Sequence, residues 1–144
     1  MSNARFVDPS GVRRVLLTRP RFLGDICLTL PALDAVRAAC PGARVAYLVE
    51  SESAPLLAGD PRVDELVVVE RSPSVAATLA LITRLRRFAP DLAIDLFCNP
   101  RTALWTLLSG ARVRVGYPNK GWRDRKSTRL NSSHIQKSRM PSSA

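Results

Sequence analysis

Short, unbroken apolar runs alternate along this chain with stretches whose apolar residues recur every three or four positions. Residues 14–19 (RVLLTR), 44–49 (RVAYLV), 65–70 (ELVVVE), 91–96 (DLAIDL) and 112–115 (RVRV) read as five strands. Most lack in-out alternation, which is the pattern of strands covered on both faces. Gly24-Asp25 opens a helical stretch that runs to about Cys40, where Pro41-Gly42 stops it. Pro31 inside that stretch predicts either a kink or a fresh start capped by Thr29. A short helix is predicted over 53–59, ended by Gly59-Asp60-Pro61. Apolar residues at 75, 79, 82, 85 and 88 predict a helix over that span. Another is predicted over 102–108, with Trp105 on its core side. Strands alternating with helices at this spacing predict an α/β fold, a three-layer α/β/α with a mostly parallel five-stranded sheet.

The chain has 144 residues, 46% of them apolar, room for one domain with a real core. The pattern divides it into a polar lead-in over 1–12, a domain over 13–122 and a basic tail over 123–144. No run approaches the ~18 apolar residues of a membrane span. Asp8-Pro9 stands where a signal peptide would need its apolar centre. Cys27, Cys40 and Cys98 are odd in number and widely spaced in apolar contexts, which predicts reduced core thiols in a cytoplasmic protein. The one histidine, His134, is far from all of them, so no zinc set is expected.

The net charge of +10 invites a nucleic-acid reading, but its distribution weakens it. Residues 1–122 hold sixteen Lys/Arg against eleven Asp/Glu, and 123–144 hold six against one, so each part carries +5. Half the excess therefore sits in 22 residues with few apolar positions and no periodicity. That segment is expected to be disordered. It resembles translated adapter or vector sequence foreign to the fold, with a genuine basic binding arm as the competing reading. Arg84, Arg86 and Arg87 fall near a helix end, where the dipole alone accounts for them.

The candidate chemistry lies in two loops. The first strand ends in Arg19-Pro20-Arg21-Phe22-Leu23-Gly24-Asp25. With strands ordered 3-2-1-4-5, this loop lies at the carboxyl edge of the sheet, beside the switch point where open α/β folds bind ligands. Asp25 reads as a helix N-cap, with Gly24 turning the chain, or as an ionised acid facing a cleft. The two readings are compatible. An ionised carboxylate there can take a proton from an alcohol, and Arg19 and Arg21 can hold an anionic substrate. The loop has neither G-x-G-x-x-G nor G-x-x-x-x-G-K-[ST], which argues against dinucleotide and P-loop chemistry. The second loop, Phe97-Cys98-Asn99-Pro100-Arg101-Thr102, follows the fourth strand and faces the same edge. Asn99 and Arg101 either bind there or form an ordinary turn and helix cap. Asp95 reads as a structural acid.

These residues resemble the start of glycosyltransferase family 9, the lipopolysaccharide heptosyltransferases and their relatives. The likeness runs from about Val12 to Tyr117, and Gly24-Asp25 with Thr29-Leu30-Pro31-Ala32-Leu33 is its most specific part. The resemblance implies a Rossmann-like, acceptor-binding amino-terminal half of a GT-B enzyme. It implies inverting transfer of heptose from ADP-heptose to the lipopolysaccharide inner core, with no cofactor and no obligatory metal. Asp25 maps onto the family's proposed general base, and Arg19, Arg21, Gly24, Asn99 and Arg101 onto its acceptor side. A donor-binding domain of comparable size follows in the family. This chain is therefore expected to be a fragment, inactive alone, from a cytoplasmic enzyme with peripheral contact at the inner membrane. No nucleic-acid partner is expected. The alternatives are a small basic nucleic-acid-binding module using Arg84, Arg86, Arg87 and the tail, or a structural α/β domain without chemistry.

Overall fold

The structure, a computed structural model, describes residues 8–116. Strands β1 (Arg14–Thr18), β2 (Arg44–Glu50), β3 (Glu65–Val69), β4 (Leu92–Asp95) and β5 (Val113–Gly116) form one sheet. Its order is β3-β2-β1-β4-β5, and every pairing is parallel. Three α-helices connect strands: α1 (Leu23–Ala39), α2 (Val75–Phe88) and α3 (Pro100–Leu108). The expected α/β class and strand order are both observed.

Burial on both faces explains the unbroken apolar runs. Val15 and Leu17 of β1 and Val45, Tyr47 and Val49 of β2 pack against Ile26, Leu33 and Val36 of α1. The alternate residues Leu16, Ala46, Leu48 and Val67 meet Leu81, Leu85 and Phe88 of α2 and Trp105 of α3. Leu16, Leu17, Leu33 and Leu85 are wholly buried, and each such side chain contributes about 1.5–3 kcal/mol relative to exposure. Trp105 is core, as expected. The Asp91 carboxylate pins the start of β1, accepting the backbone N–H groups of Arg13 and Arg14 at 3.0 Å each.

Several local expectations change. The segment expected as a helix over 53–59 is a 3-10 helix, Ser51–Leu56, with Pro55 inside it. Proline lacks the N–H that α-helical bonding would need there. α1 runs unbroken through Pro31. Thr29 caps no second helix: its hydroxyl donates to the Ile26 carbonyl at 2.8 Å and lies 2.9 Å from the Tyr47 phenol oxygen. The lead-in is not wholly polar padding, because Pro9–Gly11 forms a 3-10 turn and Val12 packs on the core. Of the three cysteines only Cys40 is buried; Cys27 is exposed and Cys98 half-buried. Cys27 falls on the outer side of α1, away from Ile26, Leu33 and Val36. Tyr117, Trp122, His134 and the basic tail lie outside the described residues.

Candidate functional site

The chain leaves β1 and β4 at the same carboxyl edge, and the loops that follow flank the switch point between them. The first loop is held to β2 by its backbone, with Arg19 N–H donating to Leu48 at 3.2 Å and Glu50 N–H donating to Pro20 at 2.9 Å. The turn into α1 is made at Phe22, whose φ of 66° is unusual for a residue with a Cβ. Its ring tilts against that of Phe97 at 6.2 Å between centroids. Phe22 is the N-cap and supplies no side-chain bond.

Two sequence expectations are corrected here. Asp25 does not cap the helix, because it lies in the first turn, three residues past the cap. Gly24 does not turn the chain, because Phe22 does so. A Cβ built on Gly24 would meet nothing within 4 Å, so its flank is open.

The Asp25 side chain remains 42% exposed, and its Oδ2 accepts from Arg19 Nη2. Oδ1 accepts no hydrogen bond among the described residues. Arg19 is heavily committed. Its Nη1 donates to the Leu96 carbonyl, and its guanidinium lies 5.1 Å over the Phe97 ring. The arginine therefore fixes one oxygen of Asp25 and leaves the other open.

At the end of β4, just before the second loop, Asp95 is buried and fully employed. Oδ1 accepts from Thr18 Oγ1 at 3.0 Å and from the N–H groups of Phe97 at 3.0 Å and Cys98 at 2.9 Å. Oδ2 accepts from Thr102 Oγ1 at 2.7 Å. Thr18 and Asp95 are register partners on neighbouring strands, so the bond follows from the pairing itself. The structural reading of Asp95 holds. Asn99 starts α3, accepting from Thr102 N–H at 2.7 Å while Thr102 Oγ1 accepts from Asn99 N–H at 3.2 Å. This reciprocal cap, with Pro100 at the first helical position, begins α3 two residues before the expected start.

The residue that sequence reasoning missed is Glu50. It closes β2, and its side chain is only 3% exposed. Its Oε1 accepts from Arg21 Nε and from Arg101 Nη2, both at 2.8 Å. Arg101 also donates to the Arg71 carbonyl at 2.6 Å and lies 4.9 Å over the Trp105 ring. A carboxylate ending an otherwise apolar strand was the available signal, because such a charge is seldom buried unpaired. The expected residues thus fall into two units on one edge. Asp25 and Gly24 stand with Arg19, while Arg21 and Arg101 meet on Glu50 and Asn99 fixes the helix that carries Arg101.

Two other features lie apart from this edge. An apolar groove of about 340 Å³, lined by Val12, Ala35, Ala39 and Leu92 among others, sits toward the amino ends of the strands and has no ionised lining residue. Of the basic cluster on α2, Arg84 donates to Glu65 at 3.0 Å and Arg86 to the Leu108 carbonyl at 2.9 Å. Both side chains are thereby engaged within the fold. Among the described residues no cluster of three His, Cys, Asp or Glu could hold a metal ion, and no helix is long and apolar enough to cross a membrane.

No family model matches the chain. It is 28% identical over 100 residues to lipopolysaccharide heptosyltransferase 3 of Escherichia coli, a match covering 66% of this chain and 29% of that protein. Its fold matches a glycosyl transferase family 9 structure from Veillonella parvula with a TM-score of 0.66 and 25% identity, over 76% of this chain and 32% of that one. It also matches the ADP-heptose heptosyltransferase II of Escherichia coli with a TM-score of 0.62 and 25% identity, over 72% and 30% of the two chains. The chain therefore spans about a third of the length of these relatives. In sequence and in fold it is similar to glycosyltransferase family 9 and its heptosyltransferases.

Proposed function

We propose that this chain is the acceptor-binding, amino-terminal part of a GT-B glycosyltransferase, and that Asp25 is its general base. The observation that carries the reading is the Asp25 carboxylate at the sheet edge, anchored through one oxygen by Arg19 with the other accepting no hydrogen bond among the described residues. In the reaction, an acceptor hydroxyl attacks the anomeric carbon of the sugar. The new C–O bond forms as the bond to the nucleoside diphosphate breaks, the configuration inverts, and the proton passes to Asp25. The likeness to heptosyltransferases supports ADP-heptose as donor and the lipopolysaccharide inner core as acceptor. In a GT-B enzyme the donor is bound by the second domain.

The remaining residues divide the work. Arg19 holds the base, and the bare flank of Gly24 leaves room for the approaching hydroxyl. Arg21 faces the acidic groups of the acceptor, and Asn99 fixes the start of the helix bearing Arg101, which joins Arg21 on Glu50. The enzyme works in the cytoplasm, meeting its acceptor at the inner membrane surface.

The test is Asp25→Asn in the reading frame extended through the donor domain, assayed for release of the nucleoside diphosphate. The amide keeps the shape and cannot take the proton, so turnover falls by about 10²–10⁴ with donor binding retained. Turnover equal to the unaltered enzyme removes Asp25 from the mechanism.

A further inference from the structure

We infer that Glu50 is a positioning residue that presents Arg21 as a forked receptor for an oxyanion, while Arg101 serves as the brace of the same unit. The inference rests on the acceptor-binding reading above and gives the two arginines on Glu50 separate roles. Arg21 touches Glu50 only through Nε, and among the described residues its two Nη groups make no hydrogen bond. A guanidinium held at Nε keeps its far edge, the parallel pair of Nη donors, free for a two-point contact with a carboxylate or phosphate.

Arg101 is placed differently. Its Nη2 reaches Glu50, its Nη1 is spent on the Arg71 carbonyl, and its plane lies over Trp105. It joins α3, the end of β2 and the segment after β3, and has little left to offer a ligand. Glu50 is the hinge pin of this arrangement. Two guanidiniums on one buried carboxylate leave a net charge of +1, so the unit attracts an anion while Glu50 keeps both cations in place. Arg21 is 29% exposed, and its stem is held at the loop that also carries Asp25.

A lysine at position 21 would keep the charge and lose the fork, whereas a lysine at 101 would loosen the brace. The experiment follows the arginine Nε–H signals of the 144-residue chain by ¹H–¹⁵N NMR during titration with inorganic phosphate and, separately, with gluconate. The first probe stands for a phosphate ester and the second for a sugar acid; the tighter of the two names the class of oxyanion. The Arg21 Nε–H signal is expected to shift on binding. Arg21→Lys and Glu50→Gln are each expected to weaken binding by about tenfold, the worth of a charge-assisted contact. Glu50→Asp, which keeps the charge, recovers part of that loss. Arg101→Lys lowers the Tm and leaves the affinity within about twofold. Three results overturn the inference: no binding of either probe, Glu50→Gln binding as the unaltered chain does, or Arg101→Lys weakening binding as much as Arg21→Lys. None of these measurements involves turnover, so a failure here leaves the assignment of Asp25 standing, and the reverse holds.

Discussion

Replacing Asp95 tests whether the crevice is shaped by one buried carboxylate. The side chain accepts four hydrogen bonds at a residue 6% exposed. Asp95→Asn keeps an oxygen where Thr18 Oγ1 and the N–H groups of Phe97 and Cys98 converge. Its new amide can donate to Thr102 Oγ1, whose hydrogen can turn to the Asn99 carbonyl at 3.2 Å. What is lost is the charge assistance, about 1–2 kcal/mol in total. Asp95→Ala instead deprives the half-buried N–H groups of Phe97 and Cys98 and the buried Thr18 and Thr102 hydroxyls of their acceptor, at about 1–3 kcal/mol for each group left unpaired, and leaves a void beside them. The summed cost is about 3–5 kcal/mol, a large share of the ~5–15 kcal/mol that holds a domain together. Urea unfolding followed by far-UV circular dichroism reads both variants at one pH. The reasoning fails if Asp95→Ala costs under about 1 kcal/mol, or if both variants cost the same.

Two further outcomes concern the rest of the fold. Ala89 ends α2 in the left-handed region at φ 49°, a conformation that costs a residue with a Cβ about 1–2 kcal/mol. Ala89→Gly removes that cost but gives the unfolded chain more freedom, so a gain of about 0.5–1 kcal/mol in urea unfolding is expected, and a loss would contradict the argument. Acid unfolding depends on Asp60 and Asp64. The Arg62 side chain holds the Asp60 carboxyl below its usual range. At Asp64, burial acts upward but is outweighed by the Val45 N–H and the Arg37 guanidinium, and the net direction is also down. A carboxyl lowered by folding binds fewer protons in the native state than in the unfolded state. Its contribution is thus present above about pH 4 and lost as the pH falls further. Asp64→Asn should flatten the fall in the urea midpoint between about pH 4 and 3; an unaltered slope would exclude this residue as a source.

The sheet was legible because its strands are covered on both faces, which leaves a signature in composition alone. RVLLT, RVAYLVE and LAID keep their charged residues to the strand ends, and the stretches between strands are long enough for parallel crossovers. Local geometry was less legible. The turn before α1 was credited to Gly24, the residue with the greatest backbone freedom, yet Phe22 takes the positive φ. The Phe22 ring meets Phe97, 75 positions along the chain, a contact that no local reading of the turn could supply. Glu50 was missed for a related reason. Nothing near it in sequence shows that Arg21 and Arg101 arrive from elements 29 and 51 positions away. Asn99, in contrast, was readable as a cap because capping is local, with its partner Thr102 three residues on.

The misplacement of Asp25 by three residues strengthens the chemical argument. An N-cap carboxylate spends an oxygen on the backbone N–H groups of the first turn, which fixes it but occupies a lone pair aimed at the helix. Asp25 lies past the cap, and Phe22 has no side-chain acceptor to offer in its place. The carboxylate is instead fixed from the side by a single arginine. That arginine is itself fixed by the Leu96 carbonyl after β4 and by the Phe97 ring. The carboxylate is therefore aligned by the strand pair that forms the crevice, β1 and β4, and the helix it belongs to contributes only its backbone. Positioning through one oxygen leaves the second without a hydrogen bond among the described residues, as the proposed proton transfer requires and as capping would have made harder. The same division recurs at Glu50, which holds Arg21 by Nε and leaves the opposite edge open. Both units on this edge secure a charged group at one atom and expose the atoms beside it, which is what the proposed binding and deprotonation of a polar partner require.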